Sequence, residues 1–195
     1  MSETAAPPSG GTHAGQAQHR AVVERSLRGF TGAGYDKGRP WLVQAAWFAV
    51  LHLVFRKWWF PARWRPVVLR AFGARIGRRV LIRHGVRVHW PWRLTVGDDV
   101  WIGEGAWLLN LQPIIIGSDV CVSQDAFLCT GSHQRRSPTM EFDNGPIRLE
   151  PGSWVAARAV VLRGVTVGRS AVVGASAVAR RDVGPGEVIT HGAAA

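Results

Sequence analysis

The chain reads as an all-β solenoid, a parallel β-helix of hexapeptide repeats preceded by an apolar helical segment. Three observations predict this class. An aliphatic residue returns at every sixth position from residue 76 onward, small residues commonly follow it, and the phase of the series closes three units into one coil.

The series runs Ile76, Ile82, Val88, Leu94, then Val96, Ile102, Leu108, Ile114, then Ile116, Val122 and Leu128. After a gap it resumes at Leu149, Val155, Val161, Val167, Val173 and Ala179. A helix repeats about every 3.6 residues and a strand every two, so neither produces a period of six. A unit made of one short strand and one turn does. Three such units form a triangular coil whose aliphatic residues stack inward, while small residues, as in IGRRVL, VGDDVW and IGEGAW, permit tight corners. Ile76, Val96 and Ile116 recur every 20 residues, which is 18 plus a two-residue bulge, whereas Leu149 to Val167 is 18 without one.

In chain order, residues 1–38 mix Ala, Gly, Pro, Ser and His without sustained periodicity and are expected to form a disordered tail. They open with neither a basic n-region nor an apolar h-region. Residues 39–72 are an apolar, Trp-rich helical segment. Within it, WLVQAAWFAVLHLVF (41–55) is 15 residues long and nearly all apolar, and it ends at Arg56 and Lys57. A bilayer span takes about 20 apolar residues, so a spanning helix is not expected. Two uses stay open: packing on the domain's flank or another subunit, or lying in a membrane interface with Trp58, Trp59 and Trp64 at headgroup depth. Residues 73–184 are the β-helix domain, with an inserted loop at 134–146, and residues 185–195 form a C-terminal tail.

A length of 195 residues suits one domain with appendages. The net charge of +11 suits an anionic partner without choosing among nucleic acid, an acidic membrane face and a phosphorylated small molecule. No recognised motif interleaves the arginines with stacking aromatics, so nucleic acid is not expected. Cys121 and Cys129 lack paired metal-ligand spacing and read as reduced, structural residues.

A solenoid by itself carries no chemistry. Interest moves to the largest break, QRRSPTMEFDNGP (134–146), inserted directly after LCTGSH. Polar loops held by a rigid scaffold are where sites usually sit, which singles out His133 at the last corner before the excursion.

From about Arg39 to Val183 the chain resembles the hexapeptide-repeat O-acetyltransferases of bacterial exopolysaccharide assembly, the colanic acid biosynthesis group. The resemblance is carried by RAFGARIG, VHWPWRLTVGDDVWIGEGAWLLN, IGSDVCVSQDAFLCTGSH and SWVAARAVVLRGVTVGRSAVVGASAVARRDV. It implies a left-handed β-helix, a homotrimer, acetyl-CoA as acyl donor in a groove between adjacent subunits, and a sugar or glycan acceptor, with no metal required. The expected location is cytoplasmic, with peripheral contact at the inner membrane face where lipid-linked glycans are assembled. An alcohol is a poor nucleophile near neutral pH, so His133 is implied as the general base that removes its proton. Asn110, in LLNLQP, is implied in acceptor recognition, and Trp154, Ala157, Ala175, Arg180 and Arg181 in cofactor binding. Glu104 reads as an exposed turn carboxylate and Cys129 as structural. Two departures stand out: Asp125 replaces the usual Gly of its unit, and the closing VITHGAAA lacks an Asn-Pro-Ala ending.

Two rivals belong to other classes. A trimeric zinc carbonic anhydrase of this fold needs three histidines around zinc, but His84 and His89 precede His133, whereas that family's close pair follows its lone histidine. The other is a catalytically inactive scaffold or membrane-docking protein that keeps only the solenoid.

Overall fold

The computed structural model describes residues 23–192 and shows a parallel solenoid capped by helical turns. Its strands distribute over three faces. The first holds β1 (Arg75–Ile76), β4 (Leu94–Val96), β7 (Ile114–Ile116), β10 (Ile147–Leu149) and β13 (Thr166–Val167). The second holds β2 (Leu81–Ile82), β5 (Trp101–Ile102), β8 (Cys121–Val122), β11 (Trp154–Val155), β14 (Val172–Val173) and β16 (Val188–Ile189). The third holds β3 (Arg87–Val88), β6 (Trp107–Leu109), β9 (Phe127–Cys129), β12 (Val160–Leu162) and β15 (Val178–Ala179). Two faces of five strands and one of six make five coils and the start of a sixth.

The inward residues fall where the repeat puts them. Ile82 through Ala179 of the series are buried, and only Ile76, at the capped end, is half-buried. Register stacks Ile76, Val96, Ile116, Leu149 and Val167 in one column of the first face. Burying each such side chain contributes about 1.5–3 kcal/mol.

The corners explain the constant spacing. Between the first and second faces, one residue per coil takes the left-handed conformation: Arg79, Asp99, Asp119, Gly152 and Ser170. Between the second and third faces the same holds for Gly85, Gly105, Asp125, Arg158 and Ser176. Asp125 is thus an ordinary member of its corner with φ 54°, a conformation Asp tolerates better than most residues. Stacked coils also leave little room at the corners: a Cβ on Gly103 would lie 2.7 Å from the Gln124 backbone nitrogen.

All length variation sits at the third corner, between the third and first faces. Eight residues take Val88 to its first-face successor Val96 and eight take Leu108 to Ile116, whereas Leu128 to Leu149 takes 21 and Val161 to Val167 takes six. The two-residue bulges, the long loop and the unbulged coils are one variable, the length of this corner.

The helical segment closes the N-terminal end of the core. α1 (Trp41–Val50) runs into a wider π-type turn over Leu51–Phe55, and α2 (Arg65–Ala71) starts with Pro66 in its first turn. Trp47, Leu51, Phe55 and Leu69 are buried on the first coil. The Trp47 indole N–H lies 3.0 Å from the carbonyls of both Val88 and His89. Buried Arg65 donates to the carbonyls of Phe55, Lys57 and Ile82, tying the cap to β2. Among the described residues no helix is long and apolar enough to cross a membrane.

Both expected tails need correction. Residues 1–22 and 193–195 lie outside the described ones, but Val23–Gly38 is a strap laid along the third corner, with its own hydrogen bonds to the 134–146 loop. At the other end the solenoid continues past 184, with Val183 bridging Val167 and β16 pairing with β14. Lack of periodicity conceals such segments because strap and edge strand are held by partners distant in sequence.

Candidate active site

After β9 the chain runs through Thr130, Gly131 and Ser132 to His133, then leaves the solenoid as the 134–146 loop. Backbone bonds fix both stems: Gln134 N–H to Glu141 O at 2.7 Å, Asp143 N–H to Ser132 O at 2.8 Å and Gly145 N–H to Thr130 O at 3.0 Å. The Asn144 side-chain oxygen accepts from Ser132 N–H at 3.1 Å, and Asp143 pairs with Arg163 of the next coil. These contacts return the chain in register to β10.

His133 is exposed, and its Nδ1 lies 2.5 Å from the Met140 carbonyl. A carbonyl can only accept, so Nδ1 carries the proton and Nε2 presents a lone pair outward. The ring stacks on Phe142 with centroids 5.4 Å apart, and Phe30 of the strap meets it edge-on at 6.0 Å. Met140 itself is left-handed, with φ 54°, an uncommon state for a non-glycine residue. The arrangement fixes the imidazole's tautomer and plane while leaving the proton-accepting nitrogen free, which is the form a general base needs.

Asn110 is a correction to the sequence reading. It is fully buried, its Oδ1 accepts from Trp90 N–H at 2.8 Å, and its Nδ2 donates to Trp90 O at 2.6 Å. Both ends of the amide are engaged in stitching one coil to the coil before it, and full burial closes the side chain to an acceptor hydroxyl within the single chain.

The five residues expected at the cofactor fall into two groups. Trp154 projects from the second face, 46% exposed, its indole N–H 2.9 Å from Ser123 Oγ. Half-buried Ala157 and exposed Ala175 sit at the second corner. Arg180 and Arg181 are exposed at the third corner, two coils beyond His133 and without an ion-pair partner among the described residues. The whole third face separates the groups within one chain.

Other candidates resolve simply. Glu104 is exposed and its Oε1 lies 2.9 Å from His84 Nε2. His89 packs against Phe48 and Trp90, so the three histidines of the zinc reading are not brought together, and no group of three metal-ligating side chains occurs among the described residues. Burial pushes the Cys129 thiol pKa up, and the thiol donates to Gly131 O, consistent with packing. The residues that the sequence did not flag are Phe30, Tyr35, Met140, Glu141 and Phe142. Two aromatics in an otherwise small-residue tail were the available signal.

The fold is the left-handed β-helix of the hexapeptide-repeat acetyltransferases. No protein-family model matches the chain. The colanic acid biosynthesis acetyltransferase WcaF of Escherichia coli (strain K12) is 38% identical over 172 residues, covering 86% of this chain and 92% of its own length. The chain belongs to this WcaF family of acetyltransferases. An acetyltransferase of Mycobacterium tuberculosis is 33% identical over 112 residues, 54% of this chain and 37% of that one. Among solved structures, a hexapeptide-repeat acetyltransferase of Vibrio cholerae complexed with acetyl coenzyme A matches the fold with a TM-score of 0.69, over 81% of this chain and 85% of that chain, at 22% identity.

Proposed function

We propose that the protein transfers the acetyl group of acetyl-CoA to a sugar hydroxyl of an exopolysaccharide or lipid-linked glycan precursor, with His133 as general base. The observation that carries this reading is the Met140 carbonyl on Nδ1, which leaves Nε2 to take the hydroxyl proton as the oxygen attacks the thioester carbonyl. The tetrahedral intermediate then collapses with loss of CoA thiolate, and the proton on Nε2 is returned to the leaving sulfur. No covalent acyl-enzyme is needed. Acetyl-CoA as donor is supported by the Vibrio cholerae complex, and the glycan acceptor by the name of the WcaF relative. The test is mass analysis of exopolysaccharide repeat units from cells carrying the wild-type or the His133→Ala gene. An acetyl-sized loss with the variant supports the assignment, and unchanged acetylation removes His133 from the mechanism.

The working unit in this reading is a homotrimer. The second face carries an outward apolar column of Leu81, Trp101, Cys121, Trp154, Val172 and Val188, and the third carries Trp107 stacked on Phe127 at 4.5 Å. The first face instead shows Arg75, Thr95, Arg148 and Thr166 among its outward residues. Packing the second face of one copy against the third face of the next would bring Trp154 and the small residues toward a neighbour's His133. One copy would supply the base and the other much of the cofactor wall. Contact with the inner face of a cytoplasmic membrane is part of the same proposal. Residues 39–72 hold six basic residues and no acidic one, and Trp41, Leu42, Leu53, Trp58, Trp59 and Trp64 are all exposed.

A further inference from the structure

We infer that Glu141 is a positioning residue, a clamp through which the N-terminal strap holds the catalytic loop in the shape that orients His133. This rests on the general-base reading of His133.

The contacts converge on one carboxylate oxygen. Glu141 Oε1 accepts from Thr31 N–H at 3.0 Å, from Thr31 Oγ1 at 3.2 Å and from Thr139 Oγ1 at 3.2 Å. Thr31 belongs to the strap and Thr139 to the loop, so a single oxygen ties together segments 110 residues apart in sequence. The Thr31 N–H beside it, followed by the hydroxyls, holds the Glu141 carboxyl below the usual carboxylate range, so the group is ionised near neutral pH. Around this point Ser26 N–H donates to Pro138 O at 2.8 Å and Arg25 to Arg135 O at 2.9 Å. Tyr35 packs edge-on against Phe142 at 5.2 Å, and its hydroxyl accepts from the Trp90 indole N–H at 2.5 Å.

The clamp sits one residue from the atom that matters. Met140, whose carbonyl fixes Nδ1 of His133, is the left-handed residue of the loop, and an isolated left-handed non-glycine persists only where its surroundings over-determine it. Thr139 before it and Glu141 after it are both pinned by the carboxylate, which restricts the Met140 peptide between them. Release of the strap would let that peptide turn away and free the imidazole to exchange tautomers. The Nδ1-bare form points its proton, not its lone pair, at the acceptor.

The experiment compares full-length wild type with Glu141→Ala, Glu141→Gln and His133→Ala. The first readout is the Nδ1–H tautomer of His133 by nitrogen-15 NMR of histidine-labelled protein. The second is CoA release from acetyl-CoA with methyl glucoside or methyl galactoside as acceptor probe, beside CoA affinity by calorimetry. Glu141→Ala is expected to mix the tautomers and lower kcat roughly tenfold or more, a part of the hundredfold or more that a positioned base contributes, with CoA affinity within about twofold. Glu141→Gln keeps an acceptor at Oε1 and is expected to restore the Nδ1–H signature and most of kcat. A Glu141→Ala protein with an unchanged tautomer overturns the clamp, as does a Gln variant as impaired as Ala. Near-normal turnover in His133→Ala would instead sink the general-base reading, so the two failures are distinguishable. Should Glu141→Ala not fold, Gly29→Val serves, because a Cβ at Gly29 lies 2.7 Å from the Thr139 methyl and wedges the strap away without touching the carboxylate.

Discussion

Replacing Asn110 separates a structural role from acceptor recognition, and the structure sets the size of the effect. Asn110→Ala leaves the N–H of buried Trp90 without a partner, while its C=O keeps the bond from Arg93 N–H at 3.0 Å. An unsatisfied buried group costs about 1–3 kcal/mol. For a chain of this length each kcal/mol moves Tm by about 2–4 °C, which puts the expected fall at roughly 2–12 °C. Asn110→Asp is the sharper variant. One oxygen still accepts from Trp90 N–H, but the other faces the Trp90 carbonyl where Nδ2 donated at 2.6 Å. Two acceptors then oppose each other until the carboxyl is protonated, so the Asp variant should regain stability relative to wild type as pH falls toward 4. The assay is circular-dichroism melting at fixed protein concentration, with the acceptor KM measured below the transition. An Ala variant that melts with wild type while its acceptor KM rises severalfold would refute the structural assignment.

Cys129→Ala should retain turnover, and mass spectrometry of wild type mixed with acetyl-CoA should find no acetyl adduct on this thiol, because burial disfavours its thiolate. Burial, reinforced by Lys37, holds the His89 pKa below its ordinary value of about 6.5. The unfolded chain therefore binds the proton first, and stability is fully present above about pH 6.5 and falls as pH drops through that value toward the depressed folded one. Thermal midpoints of wild type and His89→Gln between pH 7.5 and 5 check this: the wild-type slope over that range should flatten in the variant. In vesicle flotation, the full chain should rise with phosphatidylglycerol-containing vesicles, rise less at high salt, and rise little with phosphatidylcholine alone. If it rises with none of them, residues 39–66 serve only as the cap of the core and the membrane proposal fails.

The repeat was legible because its cause is local. Six residues make a strand and a turn wherever an inward aliphatic and small corner residues recur, so Ile82 to Ala179 could be placed without seeing them packed. The place of His133 in the fold was legible for the complementary reason, since it stands where that rule stops. What the sequence concealed depends on contacts between distant segments. Residues 23–38 have no periodicity because their partners, Pro138, Glu141 and Phe142, lie more than a hundred residues away. Asn110 was singled out by the family resemblance; its use by Trp90 across 20 residues follows from the coil register, which the bulge spacing contained. The residues proposed for the cofactor came from motif resemblance, and their division between two corners required the faces to be assigned.

The location of the candidate site follows from which corner can change length. At the first and second corners one left-handed residue per coil sets the turn, and backbones stack too closely for an inserted residue to be absorbed without lifting the strands on either side. Six-residue spacing is therefore retained there in every coil. The third corner lacks that regular left-handed residue, and its length runs from six residues between inward positions to 21 without displacing the registers above and below. Loop closure adds little free energy as a surface loop lengthens, about 0.6 kcal/mol per doubling. The third corner can thus hold an excursion as large as 134–146 while the five coils stay locked. A strap and a loop meeting there can be shaped around an acceptor, and the histidine at the loop's root keeps the rigid position of the coil it ends.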